Sequence, residues 1–162
     1  SAVAGTRIQL SDGPTKTLPI PPHRGQLTEQ QQAANRDVVH HAMRVHYDDV
    51  RRSLHHGYYQ GWDLHPAQFP MRYAAVYSFF LEGLDRAAGR LRNFLDSAAQ
   101  ATTLGAAFDD AASAQGLLNF FLQGHACGAF TPAELAQSGL TLDELRTRSF
   151  TAIMDGRRTQ KP

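Results

Sequence analysis

The sequence has little cysteine, little net charge and no long hydrophobic run. Its single cysteine, Cys127, allows no internal disulfide, which is typical of a reducing, cytoplasmic compartment. The 16 Lys and Arg residues nearly cancel the 15 Asp and Glu residues, leaving a net charge of +1 without the basic surface that nucleic acids require. The longest apolar run, residues 74–81, is far shorter than the roughly 20 residues that span a bilayer. We therefore expect neither nucleic-acid binding nor membrane insertion.

The composition is that of one globular domain with a buried core. The chain has 162 residues, of which 42% are hydrophobic and 19% are charged. Residues 1–7 contain neither an initiating Met nor the basic and then apolar pattern of a leader peptide. We expect that these residues continue a longer chain.

Helical signals dominate from residue 28 onward. Thr28 and Gln31 form a capping box, which predicts a helix that ends at Gly57. Apolar residues at helical spacing predict a second long helix over residues 71–99 and a third helix over residues 109–126. Two further capping boxes predict short helices and a basic, apolar-poor tail predicts fraying, at Thr131–Glu134, Thr141–Glu144 and residues 156–162.

Two segments instead have the character of short strands. Residues 6–10 alternate polar and apolar side chains, and residues 58–64 are rich in aromatic residues and too short for a helix. Two strands separated by one long helix are the βαβ pattern of a parallel sheet. Since two strands alone would leave open edges in water, we expect further strands from an upstream part of the chain.

Both strand candidates resemble one enzyme superfamily. Residues 57–68, GYYQGWDLHPAQ, resemble the last barrel strand of the HpcH/HpaI aldolase and citrate lyase beta-subunit superfamily, whose members often carry a Gly-containing turn, an apolar strand and then His-Pro-x-Gln. Residues 4–14, AGTRIQLSDGP, resemble the preceding strand of that family, which typically ends in an acidic residue followed by Gly. The match is closest to an uncharacterised aldolase-like bacterial subgroup.

The resemblance implies an α/β fold in which this chain is the C-terminal portion of a TIM barrel. It would be mostly helical, with two short parallel strands plus C-terminal helices. Residues 1–100 would form the last two βα units, residues 101–155 a C-terminal helical extension and residues 156–162 the frayed tail. A complete barrel needs about 250 residues, so the other strands would lie upstream of this chain.

The resemblance also implies a lyase or aldolase activity, because this family cleaves or forms carbon–carbon bonds. Its substrates are 2-oxo acids or acyl-CoA thioesters. Its cofactor is usually Mg²⁺, held by a Glu and an Asp that would lie upstream of this chain and not within it. The chain alone would then be inactive. Family members often oligomerise through C-terminal helices, which implies a homo-oligomer.

Loops at the C-terminal ends of barrel strands build the active site, so the resemblance points to rim candidates within this chain. Ordinary structural roles compete with a substrate contact at each of them. Asp-Gly is a common turn pair, a residue before proline is held extended, and a Gln side chain can cap a helix. The candidates are Asp12, Gly13, Pro14 and Lys16 after the first strand, and Asp63, His65 and Gln68 at the second.

The histidines of residues 40–56 raise the possibility of a metal site. A helix brings two ligands together when they are three or four positions apart, and no two of these histidines have that spacing. His46 and Asp49 do have it, but one pair is too few ligands for a closed site. The spacing therefore disfavours metal binding here.

A non-catalytic alternative stays open. The long helices predicted over residues 28–56 and 71–99 would suit pairing with a partner, and the chain would then be a helical interaction or oligomerisation module. An upstream polypeptide that carries acidic metal ligands would distinguish the enzyme from the module.

Overall fold

The described fold is built from helices. In the computed structural model, which describes residues 10–59, 61–103 and 110–159, six α-helices and a 3-10 turn follow one another. None of the helices in these ranges has the length and apolarity needed to cross a membrane. The elements are α1 Glu29–His55, the 3-10 turn Pro66–Gln68, α2 Phe69–Thr103, α3 Ala111–Ala126, α4 Pro132–Ala136, α5 Leu142–Thr147 and α6 Phe150–Thr159.

The predicted α/β fold, a TIM-barrel portion with two parallel strands, is wrong. No strand occurs in the described ranges, and the described residues of 58–64 form irregular structure. The aromatic Tyr59 packs against the cluster of Val50, Leu54 and Ala75. The apolar side chains of this segment therefore bury themselves against helices, and no neighbouring backbone pairs with it. Of the first strand candidate, only Leu10 lies among the described residues, and it has no regular structure.

Capping boxes set three helix starts as predicted. At α1 the Thr28 hydroxyl accepts the Gln31 backbone N–H at 3.3 Å, and the Gln31 side chain accepts the Thr28 backbone N–H at 3.0 Å. Each helix end thereby satisfies backbone donors that have no partner inside the helix. The same reciprocal pairs start α4 and α5, at Thr131 with Glu134 and at Thr141 with Glu144.

The chain divides into two compact units, and the boundary between Phe79 and Phe80 lies inside α2. This boundary differs from the division at residue 100 that the barrel resemblance implies. The first unit contains α1, the 3-10 turn and the beginning of α2. Its apolar cluster consists of Val50, Leu54 and Ala75, with Tyr47, Tyr59, Val76 and Phe79 packed against it.

The second unit is organised around four phenylalanine rings. The Phe130 ring lies 5.6 Å from the ring centroids of Phe80, Phe120 and Phe121. A Cβ atom added at Gly124 would lie 2.3 Å from the Phe130 ring, so glycine at this position lets the ring approach the α3 backbone. In the same unit, α3, α5 and α6 contact one another.

The tail is helical where fraying was predicted. α6 continues through Thr159, which places residues 156–159 in a helix, while residues 160–162 lie outside the described residues. The Arg157 guanidinium donates to Glu144 Oε1 at 2.5 Å and to the Gly139 carbonyl at 2.7 Å. The hydrogen bond from Arg157 holds the pKa of Glu144 below its usual value. This buried end of the arginine anchors a segment that has few apolar residues of its own.

Candidate functional site

A cavity in the first unit brings together segments that are distant in the sequence. Its volume is 140 Å³. It is lined by the loop of residues 12–15, by the C-terminal part of α1, by the segment that follows α1, and by Arg72 and Val76 of α2. Most of its lining residues are polar or aromatic, so the cavity is suited to a small polar ligand.

Three of the predicted rim residues, Asp12, Gly13 and Pro14, line this cavity. Asp12 accepts a hydrogen bond from the Ser53 hydroxyl of α1, which ties the loop to the helix. Gly13 has a φ of 99°, in the left-handed region that favours glycine, as the Asp-Gly turn pattern predicts. Lys16 is exposed and is not among the residues that line the cavity.

Gln68 joins the two motif segments and is almost fully buried. Its Oε1 accepts the backbone N–H groups of Leu64 at 2.8 Å and His65 at 3.2 Å, and its Nε2 donates to the Thr15 carbonyl at 3.0 Å. His65 caps the 3-10 turn, because its Nδ1 accepts the Ala67 N–H at 3.1 Å. Both rim candidates thus use their side chains to hold the backbone, and neither is among the cavity-lining residues.

We expect Gln68→Ala to release the loop before α1. The substitution removes the bond to Thr15 and leaves two backbone donors of the 3-10 turn without an acceptor. Trypsin cleavage after the exposed Lys16 should become about tenfold faster, since local opening controls proteolysis of a native chain. The control is Gln100→Ala, an exposed position on α2. Equal cleavage rates in the two variants would show that Gln68 does not hold the loop.

Asp63 is the centre of a buried polar cluster beneath the cavity lining. Its side chain is 8% exposed, and Arg72 Nε lies 2.5 Å from Oδ2. The Nε2 atom of the buried His46 lies 2.9 Å from Asp63 Oδ1. This second approach is off the hydrogen-bond direction, so neither atom has a hydrogen-bond partner among the described residues, and the same is true of His46 Nδ1. The cluster therefore couples α1, the following segment and α2 through one carboxylate.

The His46 ring is held in its neutral form. Burial lowers the pKa of His46 below its ordinary value of 6.5, the Asp63 charge opposes that effect, and Arg72 adds to it. A proton on Nδ1 would be a buried donor with no acceptor among the described residues. Protonation therefore costs stability, although a carboxylate lies beside the other ring nitrogen.

This lowered pKa predicts that the fold loses stability in acid. Because the unfolded chain protonates His46 more readily than the folded chain, the contribution of His46 to stability is complete above 6.5 and falls as the pH drops toward the lower folded pKa. The urea midpoint should decrease between about pH 7.5 and about pH 5, and less so in His46→Gln. His41→Gln, at an exposed position on the same helix, is the control. If His46→Gln and wild type lose the same stability, another group carries the dependence.

The sequence reasoning missed His46 and Arg72 as partners of Asp63. A signal for His46 was present, since it lies three positions after Met43 and four before Val50 on the apolar stripe of α1. A histidine on such a stripe is expected to be buried. Nothing in the spacing predicted Arg72, because its contact with Asp63 depends on how the irregular segment returns to α2.

The described residues do not fit a magnesium site. No group of three or more His, Cys, Asp or Glu side chains in the described ranges is placed to hold a metal ion. Asp63 is committed to Arg72, and Asp49 accepts the Thr15 hydroxyl at 2.9 Å and contacts Arg52 at 2.9 Å. These carboxylates are used to hold the loop and the helices together.

Comparison with protein families places the chain in a group defined by sequence. Residues 1–153 match the family model described as "Domain of unknown function (DUF6986)". The chain belongs to the DUF6986 family. No curated protein and no solved structure matches it significantly. The DUF6986 match includes the whole cavity and the Asp63 cluster, so both lie inside the family's domain.

Proposed function

We propose that the chain is the helical C-terminal part of a metal-dependent carbon–carbon lyase or aldolase that acts on a 2-oxo acid or an acyl-CoA thioester. Support comes from the motifs at residues 4–14 and 57–68. The observation that carries the proposal is that the described parts of these two segments lie together. Gln68 Nε2 donates to the Thr15 carbonyl at 3.0 Å, and both segments contribute residues to one cavity.

In this proposal the chain supplies a wall of the substrate site. The lining residues Asp12, Ser53, Tyr58 and Arg72 carry the hydrogen-bonding groups that would contact and orient a polar substrate. No step through Mg²⁺ is assigned to them, because the described residues do not form a metal site. Ligands for the metal would come from an upstream part of the polypeptide. We place the enzyme in the cytoplasm, in keeping with its single cysteine.

The test begins with the natural polypeptide that carries this sequence. An antibody against this chain should capture a species much heavier than 17.9 kDa from an extract of the source organism. The captured protein should cleave a 2-oxo acid or an acyl-CoA thioester in the presence of Mg²⁺ and lose that activity with EDTA. A species near 17.9 kDa that cleaves none of these substrates would contradict the lyase proposal.

A second candidate function is a helical oligomerisation module, and exposed aromatic residues favour it. Phe69, Tyr73 and Tyr77 follow one another at four-residue spacing on α2, which places them on one face, and they are 37–59% exposed. Exposed apolar surface of this kind marks an interaction site. We propose a second copy of the chain as its partner.

Light scattering at increasing protein concentration tests this second candidate. We expect a dimer whose dissociation constant rises about tenfold or more in Tyr73→Glu, since a charge would be buried at the interface. Arg90→Glu, at an exposed position of the same helix, is the control and should leave the mass unchanged. A monomer at every concentration would exclude the module as an oligomerisation device.

A further inference from the structure

The cavity of the first unit retains hydrogen-bonding capacity that the described residues do not use. Arg72 is held through Nε by Asp63, and neither of its two η nitrogens has a hydrogen-bond partner in the described part of the chain. In the same cavity, Asp12 accepts the Ser53 hydroxyl through Oδ2, and no described residue donates to Oδ1. One wall thus offers a cationic fork of donors, and another wall offers a carboxylate oxygen.

The charges that line the cavity are balanced. Asp12 and Asp49 are matched by Arg52 and Arg72. Asp49 and Arg52 satisfy each other, with Arg52 Nη2 lying 2.9 Å from Asp49 Oδ1. That pairing leaves Arg72 and Asp12 as the charged groups with spare capacity. An anion alone would meet the Asp12 carboxylate and a cation alone would meet Arg72, whereas a ligand with both charges would pair with both.

We propose that this cavity binds a small zwitterion of the amino-acid type, with its carboxylate on Arg72 and its ammonium group on Asp12. A guanidinium fork suits a carboxylate because it donates two parallel hydrogen bonds. The aromatic residues Tyr58 and Trp62 also line the cavity and add faces that attract an ammonium group. The volume of 140 Å³ restricts the ligand to a small amino acid. This inference goes beyond the proposed lyase function and does not rest on it.

Asp63, His46 and Gly61 act as positioning residues for Arg72. Asp63 fixes the Nε end of the guanidinium, and His46 lies against the other oxygen of the same carboxylate. A Cβ atom at Gly61 would lie 2.5 Å from Arg72 Nη1, so the absence of a side chain there makes room for the guanidinium. The site is built around the orientation of one arginine.

The chain's only tryptophan provides the measurement, because Trp62 lines the cavity. The full chain is titrated with L-alanine while Trp62 fluorescence and the indole N–H resonance are recorded. We expect a saturable change, with at least about tenfold weaker binding of L-lactate, propylamine and glycerol, each of which lacks one or both charges. Arg72→Lys and Asp12→Asn should each weaken L-alanine binding about tenfold or more.

Matched controls separate binding from folding. Arg90→Lys and Asp85→Asn are at exposed positions of α2 and should bind L-alanine as wild type does. Asp12 is exposed, so Asp12→Asn tests the site even if Arg72→Lys fails to fold. The proposal is overturned if L-alanine leaves Trp62 unchanged, or if both site variants bind it like wild type. Equal binding of L-lactate would exclude the ammonium contact, and equal binding of glycerol would exclude the charge pairing.

Discussion

Asp63→Asn is expected to lower the free energy of unfolding of the first unit by about 3 kcal/mol, because breaking one side of a buried ion pair leaves the other charge uncompensated. The Asp63 carboxylate is 8% exposed and contacts both Arg72 and His46. The Asn side chain has the same shape but no charge, so the variant removes the charge attraction without opening a cavity. The cost is placed at the lower end of the range for buried pairs because Arg72 is partly exposed.

Urea denaturation followed by Trp62 fluorescence measures this loss where it occurs, since Trp62 is the neighbour of Asp63 and the only tryptophan. Asp143→Asn is the matched control. Asp143 pairs with Arg146 at 2.8 Å, but both side chains are more than three-quarters exposed. The control should therefore change stability by less than about 0.5 kcal/mol. A loss in Asp63→Asn no larger than in Asp143→Asn would mean that the buried cluster does not stabilise the unit.

Phe130→Ala is expected to destabilise the second unit by about 4 kcal/mol, the usual cost of removing a buried phenylalanine ring. Phe130 is 3% exposed and lies within 5.6 Å of three other phenylalanine rings. Its ring also occupies the space above Gly124, where no side chain replaces it. The cavity left by alanine would therefore be lined by rings and by bare backbone, neither of which fills it readily.

Urea denaturation followed by far-ultraviolet circular dichroism measures the helices of this unit, which contains no tryptophan. Phe130→Leu should lose only about 1 kcal/mol, because it keeps most of the apolar volume. Leu142→Ala is the control, at a leucine that is 38% exposed. If Phe130→Ala and Leu142→Ala cost the same, the phenylalanine cluster is not the core of the second unit.

Features that depend on neighbours in the sequence were predictable. A capping box needs only a Thr and a Glu or Gln three residues later, and the starts at Thr28, Thr131 and Thr141 are confirmed. The buried side of α1, which includes Val50 and Leu54, also follows from apolar spacing along one helix. The left-handed turn at Gly13 follows from the Asp-Gly pair in the same way.

Features that depend on what a segment packs against were not predictable. Residues 58–64 have strand-like composition, but Tyr59 packs against the helical core and no described strand lies beside the segment. β-propensity expresses how well side chains fit a half-buried surface, and helices can provide that surface as well as a sheet. The helical tail likewise depends on Arg157 reaching back to Glu144 in α5.

By itself the sequence determined the helix starts, the apolar stripe of α1 and the turn at Gly13, because each depends on contacts within a few residues. Only the tertiary structure decided that Asp63 meets His46 and Arg72, and that Gln68 holds the loop at Thr15. Those contacts join residues that the chain path separates widely, and their partners are selected by burial and by the need to satisfy polar groups away from water. The candidate site consists of such contacts, which is why spacing alone named Asp12 and Asp63 but not the arginine between them.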